Sequence, residues 1–165
     1  MRLPRLFQYL SLSLAMLSPC AAMAEPSAIY LVRHGEKAAV GKDPELTAQG
    51  QVRAQAIAAI LSRAGITHVF STPTQRTRQT AAPLARRIGV EVQLYEPGAP
   101  KALVEKVKAL SGAVLVVGHS NTLPELVKLF GGAPGTDIAD DEYDRLYQLT
   151  PGAGGAVRTV LLASP

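Results

Sequence analysis

From Ala28 onward the chain alternates short apolar runs with longer stretches of helical periodicity. Ala28 to Arg33 reads as a strand. Thr47 to Ala64 reads as a helix, with Val52, Ala56, Ala59 and Ile60 at helical spacing and Gly65 closing it. Thr47 suits the N-cap, because its hydroxyl can accept from an amide of the first turn. Val69 to Ser71 is a short strand, and the helix after it runs from Thr74 to Ile88 and ends at Gly89. Glu91 to Tyr95 alternates as a strand does, Pro97-Gly98 marks a turn, and Leu103 to Leu110 is helical. Ala113 to Val117 is the most apolar run, which predicts a central strand buried on both faces. Thr122 to Phe130 is a helix stopped by Gly131-Gly132.

The alternation ends at Ala133. Ala133 to Asp144 is polar, loop-like and acidic at its end, and Leu146 to Thr150 and Val157 to Leu162 read as strands around Pro151-Gly152-Ala153-Gly154-Gly155. That pattern predicts a hairpin on one edge of a sheet. The whole order predicts an α/β fold: a mainly parallel sheet with helices on both faces and a C-terminal edge hairpin. No repeat or linker divides residues 25–165, which read as one domain.

The N-terminus has a different character. Arg2 and Arg5 precede the apolar stretch Leu10 to Leu17, and Ala22-Met23-Ala24 places small residues around a cleavage point after Ala24. This is the layout of a secretory signal peptide over residues 1–24. An uncleaved anchor fits less well, because serines and Pro19 interrupt a stretch already short of the ~20 apolar residues that span a bilayer. Lipid attachment at Cys20 is disfavoured by Pro19 before it. The expectation is an exported protein, in a bacterial periplasm, with no stable membrane insertion after cleavage. Cleavage leaves 141 of the 165 residues and removes Cys20, the only cysteine, so the core alone must hold the fold. Loss of Arg2 and Arg5 lowers the net charge from +4 to +2. With no polybasic run and no interleaved aromatics, no nucleic-acid partner is expected.

Two apolar runs end alike. Ile29 to Val32 leads into Arg33-His34-Gly35-Glu36, and Val114 to Val117 leads into Gly118-His119-Ser120-Asn121. The C-terminal edge of a parallel sheet is where ligands bind. Phosphoryl transfer to a side chain needs a neutral nucleophile, cationic donors around the phosphate oxygens and a proton source for the leaving group. His34 suits the first role and Arg33 the second, while Gly35 permits close backbone approach. The segment Ser71 to Ala81 adds a strand-to-helix junction, where amides and the helix dipole favour an anion. Arg76, in the first turn, is the expected ligand there. Arg78, two positions on, faces elsewhere, and Arg86 and Arg87 suit the dipole at the helix end. His119 reads as a metal ligand, a core histidine or a second phosphate donor. Three histidines and no mature cysteine argue against metal, and Gly118 beside it favours a site residue. No metal and no cofactor are expected, and His68 is taken as structural.

In order along the chain, Arg33-His34-Gly35-Glu36, Leu46-Thr47-Ala48-Gln49-Gly50, Pro73 to Ala81 and Gly118-His119 resemble the histidine phosphatase superfamily, with its phosphoglycerate-mutase-like fold. The resemblance implies that His34 is the nucleophile and becomes phosphorylated. It implies a phosphate pocket of Arg33, Arg76 and His119, and Gly35, Glu36, Ser120 and Asn121 complete the expected substrate contacts. Two departures bear on mechanism. Gly89 to Ala99 is too short for the covering insertion of larger members, so an open site is expected, as in the small phosphohistidine phosphatases and small exported members. Ser120-Asn121 follows His119 where the acid-phosphatase branch has its aspartate donor. Glu96 is then either the proton donor or a turn carboxylate beside Pro97, and Asp140, Asp141 and Glu142 lie outside the expected set. The implied activity is metal-independent hydrolysis of a phosphomonoester or phosphohistidine through a phosphohistidine intermediate. Its partner is a phosphorylated small molecule or an exposed phosphate on a macromolecule. The alternative is a phosphate-binding or scaffold protein without turnover. Specificity is expected in the loops 37–45, 96–101 and 133–144.

Overall fold

The computed structural model describes residues 25–164; the signal-peptide reading at 1–24 lies outside them. In chain order the elements are β1 (Pro26–Arg33), α1 (Ala48–Leu61), β2 (Ile66–Ser71), α2 (Gln75–Ile88), β3 (Val92–Leu94), α3 (Pro100–Lys108), β4 (Gly112–Gly118), α4 (Leu123–Leu129), β5 (Arg145–Pro151) and β6 (Val157–Ala163). The strands form one sheet in the order β3-β2-β4-β1-β5-β6. The first four are mutually parallel, and β5 and β6 pair antiparallel as the edge hairpin. This is the mainly parallel α/β sheet that the alternation predicts.

The apolar pattern of each strand decides its place. β4 carries Ala113 to Val117 with 1% exposure or less at every position, because helices cover both of its faces. Alternate residues divide between two layers. Val114 and Val116 pack with Leu103, Val107, Leu126 and Val127 of α3 and α4. Ala113, Leu115 and Val117 pack with Ile57, Leu61, Leu84 and Ala85 of α1 and α2. β1 divides in the same way, Ile29 and Leu31 to one layer and Tyr30 and Val32 to the other.

The helix ends follow their residues. Thr47 caps α1, its Oγ1 accepting from the Gly50 amide at 3.1 Å. Gly89 ends α2 at φ 73, a left-handed conformation that side chains rarely adopt. Pro100 opens α3, earlier than the periodicity alone predicts, since proline at the first helical position sacrifices no hydrogen bond.

The face of α1 is a correction. Val52, Ala56, Ala59 and Ile60 form the expected stripe, yet Val52 is 69% and Ile60 46% exposed, and the buried face is Gly50, Ala54, Ile57, Ala58 and Leu61. Apolar residues lie nearly all round this helix, so periodicity cannot set its rotation. A backbone contact does. A Cβ built on Gly50 would lie 2.3 Å from the Glu36 carbonyl oxygen, and one on Gly35 would lie 2.7 Å from the Gly50 carbonyl oxygen. The first turn of α1 therefore presses directly on the segment after β1.

The connections locate the site. β1 leaves through α1 on one face, and its neighbour β4 leaves through α4 on the other, so the sheet reverses its order between them. Register pairs Arg33 with Gly118 there, and His34 N–H donates to the Gly118 carbonyl at 3.0 Å. A crevice at such a reversal is where open α/β sheets bind ligands.

Candidate active site

Arg33, His34, Arg76, His119, Ser120 and Asn121 converge on one open cavity of about 360 Å³ at this crevice, with Lys37, Pro97, Thr122 and Asp140 completing its lining. Concavities of about 490 and 450 Å³ lie elsewhere on the surface, without this grouping of histidines and arginines. Chemistry, not size, distinguishes the site.

His34 is 3% exposed, and its Nδ1 lies 2.7 Å from the Gly35 carbonyl oxygen. A carbonyl only accepts, so Nδ1 carries the proton and donates, which leaves the lone pair on Nε2. Burial lowers the His34 pKa to about 4, helped by the positive charges of Arg76 and Arg33 and by His119, against the opposing effect of the Gly35 bond. The ring is neutral at pH 7 and in the tautomer that a nucleophilic Nε2 requires. His119 meets it edge-on, ring centroids 5.4 Å apart. Burial, then Arg76 and Arg33, lowers His119 to about 4 as well. Its Nε2 lies 2.9 Å from Thr72 Oγ1, which ties β4 to the end of β2.

The arginines are held from outside the cavity. Arg33 is 4% exposed, donates from Nη1 to the carbonyls of Ala139 (2.8 Å) and Glu142 (2.7 Å), and stacks its guanidinium 4.1 Å from the Tyr143 ring centre. Arg76 meets Asp43 at 3.5 Å, and the Asp43 carboxylate also accepts from the Gln75 amide at the start of α2. Nε of both arginines is buried without a hydrogen-bond partner among the described residues. Buried donors without partners are costly, and an oxyanion in the cavity would answer two cations brought together there. Among the described residues no group of three or more His, Cys, Asp or Glu is placed to hold a metal ion.

Three expected residues sit apart from the lining. Gly35 donates its amide to Thr80 Oγ1 at 3.0 Å, and its lack of a side chain serves the contact with Gly50. Glu36 is gripped by Arg53, with bonds of 2.7 and 3.1 Å. Burial raises its carboxyl pKa, but the Arg53 hydrogen bonds, its own amide and the nearby Arg53 and Arg33 charges outweigh that and hold it below the ordinary value. Both residues brace the loop under the cavity. Glu96 is exposed, and only its neighbour Pro97 lines the site. Arg78 is exposed on another face of α2, as residues two apart on a helix must be.

Sequence reasoning missed Thr72, Tyr143 and Asp140. Thr72 sits inside the segment Ser71 to Ala81, and its strand-end position, shared with His34 and His119, is the signal that marks it. Tyr143 and Asp140 come from a loop without periodicity, roughly a hundred residues from Arg33, and no local pattern marks them.

Residues 29–97 match the family model described as histidine phosphatase superfamily (branch 1). A protein named "Probable phosphoglycerate mutase GpmB" from Serratia proteamaculans (strain 568) is 41% identical over 71 residues, 39% of this chain and 33% of that protein. Its namesake from Escherichia coli (strain K12 / DH10B) is 37% identical over 104 residues, 59% of this chain and 44% of that one. The matched stretches thus span less than half of these relatives. In fold, the protein histidine phosphatase SixA, solved with tungstate, aligns at TM-score 0.67 and 19% identity over 84% of this chain and 97% of that one. Mycobacterial hydrolase 1 aligns at TM-score 0.63 and 15% identity, over 84% and 100%. The stretch that carries His34 and Arg76 is thus similar to the histidine phosphatase superfamily, and it lies within a sheet whose fold matches that of SixA.

Proposed function

We propose that the protein is a metal-independent phosphatase that transfers a phosphoryl group to His34 and then to water. The observation that carries the reading is the pairing of a neutral His34, its tautomer held by the Gly35 carbonyl, with two arginines whose buried Nε groups lack partners among the described residues. Nε2 attacks phosphorus, the bond to the leaving oxygen breaks, and that oxygen takes a proton. Water then attacks the phosphohistidine, the P–N bond breaks, and phosphate leaves. Arg33 and Arg76 balance charge on the transferred group throughout. His119, neutral and tied to Thr72, offers a hydrogen-bonding edge to the same group.

An open cavity without a covering segment between α2 and α3 supports substrates larger than the cavity itself, a phosphorylated macromolecule as well as a small phosphomonoester. Export to the periplasm belongs to the same proposal and rests on the N-terminal sequence layout.

Hydrolysis of 4-nitrophenyl phosphate in the presence of a chelator, by the protein and by His34→Ala, tests the reading. Turnover that survives chelator and falls at least about a thousandfold in the variant is expected, as when a nucleophile is removed. Phosphate-dependent stabilisation without any turnover would favour a binding or scaffold role instead.

A further inference from the structure

The reaction just proposed needs a proton for the leaving oxygen, and Glu96 does not reach the cavity lining. Three other carboxylates of the surrounding loops are already engaged. Glu36 is held by Arg53, Asp43 by the Gln75 amide and Arg76, and Glu142 by Arg145. Among the described residues, Asp140 is the one carboxylate that lines the cavity with His34, Arg76 and His119, and its side chain makes no hydrogen bond or ion pair.

Asp140 is also held in place. It lies within the turn whose Ala139 and Glu142 carbonyls grip Arg33, and that turn is closed by the Glu142 amide donating to the Ala139 carbonyl at 3.1 Å. Arg145 clasps the loop from behind. It bonds the Glu142 carboxylate, the Thr136 carbonyl (2.5 Å), Thr136 Oγ1 (3.0 Å) and the Asp137 carbonyl (3.0 Å). Tyr147, on β5, donates its hydroxyl to the Pro134 carbonyl at 2.7 Å. The carboxyl thus stands on a turn joined to the arginine that would bind the phosphate, which gives it a defined height over the reacting group.

We propose that Asp140 is the general acid and base of this site. As the bond from phosphorus to the leaving oxygen breaks, the Asp140 carboxyl gives that oxygen its proton. The resulting carboxylate then takes a proton from the water that attacks the phosphohistidine, which restores the carboxyl as phosphate forms. The assignment rests on the phosphatase reading above and supplies the acid that reading lacks.

The test compares kcat/KM for phenyl phosphate and 2,4-dinitrophenyl phosphate in the full chain, in Asp140→Asn and in Glu96→Gln. The poorer leaving group depends on the proton and the better one much less. Asp140→Asn is expected to lose about a hundredfold on phenyl phosphate and less than about tenfold on the dinitrophenyl ester, within the usual range for a general acid. Inorganic phosphate should still raise the variant's thermal midpoint, showing an intact fold and anion site. Equal losses on both esters would overturn the assignment, and so would a leaving-group-selective loss in Glu96→Gln. Absence of turnover in the unaltered protein would instead overturn the phosphatase reading, and the assignment with it.

Discussion

His34 and His119 occupy matching strand ends but are restrained differently. His34 is fixed by its neighbour's carbonyl, a local device that any chain with this backbone bend makes for itself. His119 is fixed across the sheet by Thr72, whose hydroxyl also meets Thr77 Oγ1 at 2.9 Å. Thr72→Val keeps the shape and removes the hydroxyl, so the ring loses its tether. A net hydrogen bond contributes about 1 kcal/mol, so affinity for inorganic phosphate should fall roughly fivefold, read by calorimetry, with His34 untouched. No change would show that Thr72 does not position His119. At this scale the candidate site was largely legible: Arg33, His34, Arg76, His119, Ser120 and Asn121 stand on the cavity as anticipated. Glu36 was not, since an ion pair with Arg53 depends on how α1 lies over the loop, and sequence spacing does not report that.

The elements sit where apolar runs and capping residues put them, with one instructive exception. α1 is apolar on too many sides to choose its own rotation, and Gly50 against the Glu36 backbone chooses it. This contact has no room to relax, because the opposing atoms are main chain on both sides. Gly50→Ala is expected to destabilise the protein by roughly 2 kcal/mol or more, as overpacked or strained sites do, measured as a drop in the urea midpoint. Ala48→Gly, on the exposed side of the same turn, should cost no more than about 1 kcal/mol. A Gly50→Ala variant as stable as the unaltered protein would mean that the loop moves away easily. The 133–144 loop is the opposite case. Nothing in its composition announces structure, yet Arg145 and Tyr147 organise it from the edge hairpin, so its order comes from β5.

At the scale of the whole molecule, the two histidines make stability depend on pH. Both have folded-state pKa values of about 4, against 6.5 for the free side chain. Between those values the unfolded chain binds more protons, so the stabilisation is complete above about pH 6.5 and is lost as pH falls toward 4. The thermal midpoint should decline across that interval in phosphate-free buffer and be nearly flat in a His34→Asn, His119→Asn double variant. An equal decline in the double variant would assign it to other groups. Both histidines titrate low because the fold buries them beside Arg33 and Arg76, which is a property of the assembled sheet and not of either motif. The sequence by itself determined the order of strands and helices, the parallel sheet with its edge hairpin, and the histidines and arginines of the crevice. These follow from local periodicity, caps and residue chemistry. Only the tertiary structure decided the rotation of α1, the pairing of Glu36 away from the cavity, the exclusion of Glu96 from its lining and the entry of Asp140 and Tyr143. Each of those depends on contacts between segments distant in sequence, where packing and charge pairing select among arrangements that local pattern leaves equivalent.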